Sequence, residues 1–149
     1  MKLHIPYKPA LALAAAFGLV LAAAPTAEAA TFGEVDYVTH TYSDGDAQSA
    51  WASKWYGNAA FEFRGDALWV QDNAGDGHRV GMHWKIGDRR GICINHRGHD
   101  IWRWSCNKNL PEGKRLTFRV GRCDGDVYTC ERTTGWKNWS AWRTTKRNY

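Results

Sequence analysis

Beyond residue 30 the chain has no apolar run long enough to span a bilayer, no internal repeat and no low-complexity linker. These absences exclude a later transmembrane helix and leave no sign of a second domain. Catalytic signatures are missing as well. There is no G-x-S-x-G, no H-E-x-x-H and no glycine-rich phosphate loop, so the usual nucleophile, zinc and phosphate-transfer readings find no support. Glu34, Glu62, Glu112 and Glu131 all fall at strand edges or turns, which gives a two-carboxylate glycosidase little to stand on.

What is present begins with a leader. Lys2 and Lys8 make a positive start, Ala10 to Ala24 is almost wholly apolar, and Ala27-Glu28-Ala29 has the small-x-small pattern of a cleavage site. Residues 1–29 are therefore expected to be a secretory signal peptide, and residues 30–149 a single exported domain of roughly 120 residues without a membrane span. All four cysteines, Cys93, Cys106, Cys123 and Cys130, lie in that domain. An even count in an exported chain argues for two disulfides, with three connectivities possible. Pairing Cys93 with Cys106 and Cys123 with Cys130 is preferred, because each pair straddles its own turn and opposed hairpin positions bring Cβ atoms close.

The stretch from Leu68 to Cys106 reads as four strands separated by turns. From Arg79 to Ile86 the side chains alternate, with Val80, Met82, Trp84 and Ile86 on one side and Arg79, Gly81, His83 and Lys85 on the other. Turn-forming DNAGDGH and GDRRG flank that strand, which suggests an antiparallel meander. Further strands are expected over Phe32 to Tyr42, Ala59 to Phe63, Leu68 to Val70, Arg115 to Val120 and Val127 to Cys130. Asp46 suits an N-cap, Gly57 a C-terminal stop, and Trp51 and Trp55 are one helical turn apart, so one short helix is placed between them. The fold class that follows is all-β, an antiparallel β-sandwich or small barrel with at most one short helix.

Two compositional features bear on function. The formal charge is +5 for the whole chain, but between Ala30 and Gly77 there are 2 basic and 8 acidic residues, whereas from His78 onward there are 16 basic and 6 acidic. Either the two parts neutralise one another side by side, or the later strands offer a basic face to an acidic polymer. Nine tryptophans are the second oddity. Exposed indoles stack on sugar rings through their apolar C–H faces, while buried ones build the core of a small domain. Trp69 and Trp84 are expected in the core, Trp51 and Trp55 in either place, and Trp102, Trp104, Trp136, Trp139 and Trp142 at the surface. Trp136, Trp139 and Trp142 recur every three residues. A three-per-turn course would put them on one side, with Arg103, Arg119 or Arg122 stacked on their faces.

Smaller motifs compete with simpler explanations. Asp72, Asn73 and Asp76 could surround calcium, but no EF-hand pattern accompanies them and a hairpin turn accounts for the same residues. His78, His83, His96 and His99 could hold a metal only if they converge, and His99 with Asp100 could form a base and its orienter. Arg64-Gly65-Asp66 has turn composition before it is an adhesive tripeptide. Asn138-Trp139-Ser140 fits a glycan acceptor.

The order GDALWVQDNAGDGH, a strand containing MHW, then RRGICIN, IWRWSC and LPEGKRLTFR resembles a group of small exported β-rich proteins of actinobacterial type, over Gly65 to about Arg119. The resemblance implies a secreted, disulfide-bonded β-fold and transfers no catalytic residue. The expected function is a secreted, non-enzymatic binding protein for an extracellular or cell-surface polysaccharide or acidic polymer. The alternative is a secreted inhibitor or antimicrobial interaction protein. Trp102, Trp104, Trp136, Trp139 and Trp142 would form the platform, and Arg103, Arg119, Lys137 and Arg143 would supply charge. No catalytic residue, metal or cofactor is expected, and the protein is expected to be a monomer.

Overall fold

The computed structural model describes residues 31–41, 48–63, 65–100 and 103–145. The expected leader, the break after Tyr42 with the cap at Asp46, Arg64 and Trp102 lie outside the described residues.

The chain folds as an all-β sandwich of two open sheets. The strands are β1 (Glu34–Tyr37), β2 (His40–Thr41), β3 (Gln48–Lys54), β4 (Gly57–Glu62), β5 (Ala67–Asp72), β6 (Arg79–Ile86), β7 (Arg89–Asn95), β8 (Trp104–Asn107), β9 (Thr117–Cys123), β10 (Trp136–Lys137) and β11 (Arg143–Thr144). Sheet I runs β1-β7-β6-β9-β10, with β11 also on β9, and sheet II runs β2-β8-β5-β4-β3. Among the described residues every strand pairing is antiparallel except β1 with β7, which is parallel from Glu34 opposite Gly91 to Tyr37 opposite Ile94.

The expected meander is corrected. Strands β5 to β8 form where the alternation places them, but β5 and β8 are neighbours in sheet II whereas β6 and β7 are a hairpin in sheet I. The chain thus changes sheet at DNAGDGH and again between β7 and β8. Alternation tells which side of a strand is apolar and is silent on which sheet the strand joins. Both expected disulfides are present, with the first in a different setting. Cys93 on β7 and Cys106 on β8 have Cα atoms 6.0 Å apart and join the two sheets through the core. Cys123–Cys130 ties the end of β9 to a helical turn, α1 (Val127–Cys130), instead of to a returning strand. Asp126 caps that turn by accepting from the Thr129 N–H at 2.8 Å, which satisfies a donor the turn itself leaves open.

The expected helix before Gly57 is a second correction. Gln48 to Lys54 form β3, paired with β4 from Gln48 opposite Glu62 to Lys54 opposite Gly57, and Trp55 and Tyr56 make the turn between them. Trp51 and Trp55 are four apart, a spacing that suits a helix or two same-face strand positions equally. Pairing with β4, which buries Ala52 against Ala59, decides for the strand.

The core between the sheets holds Val80, Met82, Trp84 and Ile86 from β6, Phe118 and Val120 from β9, and Phe61, Leu68 and Val70 from sheet II. Trp69 and Trp84 are both fully buried, as expected, but only Trp84 lies between the sheets; Trp69 faces outward from sheet II and is covered there by Trp51 and Arg103. A second cluster lies on the other face of sheet I, where Phe32, Ile92, Ile94, Cys123, Cys130 and Trp136 pack together. Sheet I is therefore covered on both faces. This explains why the nominally polar side of β6 carries Gly81 and a buried His83.

Candidate binding surface

The outer face of sheet I is built from three cross-strand rows. Gly121, Gly81 and Ile94 make the first, Arg119, His83 and Ile92 the second, and Thr117, Lys85 and Arg90 the third. Directly opposed residues share a face, so each row is a strip of one surface.

The C-terminal segment is laid over these rows. Trp136 and Lys137 pair with Cys123 and Arg122, and Arg143 and Thr144 pair with Phe118 and Thr117. Between them the chain turns at Asn138, whose φ of 56° lies in the left-handed region, and Ser140 is pinned by its N–H to the Val120 carbonyl at 2.8 Å. All three indoles land on one side, as the three-residue spacing suggests, but on a strand-loop-strand path instead of a three-per-turn helix.

Glycine makes the floor. A Cβ on Gly81 would lie 2.2 Å from Cη2 of Trp136, and one on Gly121 would lie 2.3 Å from Cε3 of Trp139. Any side chain there would lift an indole off the sheet. Trp136 stacks on Trp139 with centroids 5.4 Å apart and planes 23° from parallel, and its Nε1 donates to the Cys130 carbonyl at 2.7 Å. The Arg119 guanidinium then lies 4.2 Å from the Trp139 ring and 4.5 Å from the Trp142 ring. Lys85 Nζ is 4.6 Å from Trp142. The order is Trp136, Trp139, Arg119, Trp142, Lys85, a ladder whose first rung is buried and whose last indole is 36% exposed.

His83 lies beneath this ladder, with ring centroids 4.9 Å from Phe32, 5.7 Å from Trp139 and 5.0 Å from Trp142. Its Nδ1 accepts from Arg119 Nε at 3.3 Å. Burial, reinforced by Arg119, Lys85 and Arg90, pushes its pKa down to about 4, so the ring is neutral at pH 7.

Of the nine residues expected to bind, the structure gathers Trp139, Trp142 and Arg119 on this surface. Trp136 is corrected from platform to core, because it is only 6% exposed. Trp104 packs against the core between the sheets, and Arg97 covers its ring at 4.7 Å. Arg103 serves the other sheet, 5.4 Å from Trp51 and 5.0 Å from Trp69. Lys137 is paired with Asp124. Arg143 is opposite Phe118, whose side chain points into the core, so its register places it on the other face from the ladder. Lys85, Arg90 and His83 join the surface although the sequence reading left them out. The outward half of the β6 alternation signalled His83 and Lys85, whereas Arg90 on β7 comes to the surface through its register opposite Lys85.

The charge asymmetry is partly resolved by pairing. Arg89 grips Glu34 with two bonds of 2.8 and 2.9 Å, and Lys108 reaches Glu34 at 2.6 Å and Asp36 at 2.7 Å. The Arg89 bonds are the largest influence holding the Glu34 carboxyl down to about 2. Arg122 pairs with Asp76 at 3.0 Å. Among the described residues no carboxylate pairs with Lys85, Arg90 or Arg119, so the ladder face carries three cations without an ion-pair partner.

The competing motifs are used structurally. Asp72 is 1% exposed and accepts from the Ala74 N–H at 3.0 Å, and burial raises its pKa. Asp76 accepts from the His78 N–H at 3.1 Å, which is turn chemistry. Gly65 and Asp66 have φ of 76° and 54°, as a tight turn requires. Asp100 accepts from Trp104 Nε1 at 2.9 Å, while His99 Nδ1 lies 3.2 Å from the Asp72 carbonyl oxygen. His78, His96 and His99 line a pocket from which His83 is absent, and among the described residues no three His, Cys, Asp or Glu side chains gather as metal ligands would.

Fold and bridges together define a disulfide-bonded all-β sandwich with an indole-arginine ladder on one sheet. No family model, curated protein or solved structure matched the chain.

Proposed function

We propose that this chain is an exported, non-enzymatic protein that binds an anionic polysaccharide through the outer face of sheet I, and that it belongs with the small exported β-rich proteins its sequence resembles. Trp142 takes a sugar ring on the face over which Lys85 lies, the flexible lysine side chain moving aside to meet an acidic group, and Arg119 and Arg90 add positive charge. The observation that carries the reading is the position of Trp142. It is partly exposed and flanked by two cations that have no ion-pair partner among the described residues. An indole in that setting combines C–H stacking with long-range attraction for a polyanion. Export is supported by the leader pattern, by two disulfides with no free cysteine among the described residues, and by the absence of any described helix long and apolar enough to cross a membrane. Retention on immobilised polyuronate against a neutral glucan tests the proposal. Retention on the charged polymer that weakens with salt supports it; equal or no retention on both contradicts it.

A second reading, an inhibitor or other protein-binding module, is favoured by one feature. Trp55 is 69% exposed in the two-residue connection between β3 and β4. Tyr56 Oη anchors that connection to the Asn138 carbonyl at 2.5 Å. A rigid, protruding indole is the kind of anchor that protein interfaces use.

A further inference from the structure

We propose that the pocket beside the ladder, lined by His83, Lys85, Arg90, Thr31, Phe32 and Thr133, is an oxyanion subsite that takes one carboxylate, sulfate or phosphate group of the bound polymer. The proposal rests on the polymer-binding reading and specifies what that surface selects.

Three observations converge on it. Lys85 on β6 and Arg90 on β7 are directly opposed on the same face. Like charges in that relation repel, and an anion between them relieves the repulsion. Neither has a carboxylate partner among the described residues. Second, the proton of His83 is assigned by its neighbour. Arg119 can only donate, so Nδ1 of the neutral ring must accept and the remaining hydrogen is on Nε2. No described acceptor takes that N–H, and His83 lines the pocket, which gives it a neutral donor beside two cations. Third, the pocket has a volume of about 170 Å³ and Phe32 forms an apolar wall, 1% exposed. An apolar wall lowers the local dielectric and strengthens each charge-assisted bond. No acidic residue lines it. The histidine pocket at the other end of β6 differs, since Asp72 contributes a carboxylate to its lining.

Lys85 joins the two parts of the surface, because the side chain that lines the pocket also places its Nζ 4.6 Å from Trp142. A sugar stacked on Trp142 therefore has cationic help next to it for an acidic substituent. The subsite predicts preference for charged over neutral polymers of the same backbone.

The test combines polymer affinity with the imidazole nitrogen spectrum of His83 in the full mature protein. Lys85→Gln and Arg90→Gln should each weaken polyuronate binding by roughly tenfold, the loss of one charge-assisted bond, while Lys54→Gln on sheet II should not. Sodium sulfate should shift the His83 Nε2 resonance saturably, glucose should not, and polyuronate should displace the sulfate. If Lys85→Gln and Arg90→Gln bind polyuronate as wild type does while Trp142→Ala loses it, the subsite is wrong and the platform stands. If wild type binds no polymer yet sulfate still shifts His83, the polymer reading is wrong and the pocket is a site for free anions. Sulfate that polyuronate cannot displace overturns the assignment to the polymer.

Discussion

The outer faces of the two sheets use the same pair of side chains and reach different ends. On sheet II, Trp51, Ala60, Trp69 and Ser105 form one cross-strand row, Trp51 meets Trp69 edge to face at 4.5 Å, and Arg103 lies over both rings. There the arginine and the outer indole bury the inner one completely. On sheet I the stack starts on glycine, is buried at Trp136 and runs outward to Trp142 among cations without carboxylate partners. Arginine on indole is thus a packing unit in both places. What makes one face a candidate site is how the stack ends.

The largest effect should come from the bridge beneath both faces. Replacing Cys93 and Cys106 by serine removes the inter-sheet link, and urea unfolding should show a loss of about 3 kcal/mol. The same change at Cys123 and Cys130, which close a shorter loop, should cost somewhat less. Next comes the ladder floor. Gly81→Ala should destabilise by about 1–3 kcal/mol, because its Cβ overlaps Trp136 and the indole must move, whereas Lys54→Ala at an exposed position of β3 should change stability by less than about 0.5 kcal/mol.

Acid should separate the faces further. Unfolded His83 takes up a proton near pH 6.5, while the folded ring resists until about pH 4. The unfolded state therefore binds more protons in that window, and stability should fall as pH drops through it. His83→Gln should remove that slope. A second loss, from about pH 4.5 toward 2, belongs to Glu34, whose depressed carboxyl stabilises the fold only while ionised. Trp142→Ala should cost less than the loss of either bridge, since its ring is partly in water already, and more than Lys54→Ala, since the indole gives up its contacts with His83, Arg119 and Lys85.

Local chemistry was legible in the sequence, and partnership between distant segments was not. The alternation over Arg79–Ile86, the cysteine pairs and the one-sidedness of Trp136, Trp139 and Trp142 could be read because each depends on spacing along the chain. The stacking of Arg119 on indole was also foreseen in kind. The sheet assignment of β5 to β8 depends on which strands meet, and spacing does not encode that. The burial of Trp136 was missed for a similar reason. Its floor is Gly81, 55 positions earlier in the chain, and only register reveals that this glycine and Gly121 lie opposite one another. Glycines on the outward side of β6 and β9 were the available clue.

With the free end of the sheet I ladder as the binding face, a matched pair of indole variants on the two sheets should behave differently. Polyuronate affinity should fall by roughly tenfold or more in Trp142→Ala, the loss expected for one stacked ring with its flanking charge, and should be unchanged in Trp51→Ala, whose ring is 40% exposed on the opposite face. Equal losses in the two variants, or a loss confined to Trp51→Ala, would contradict the account.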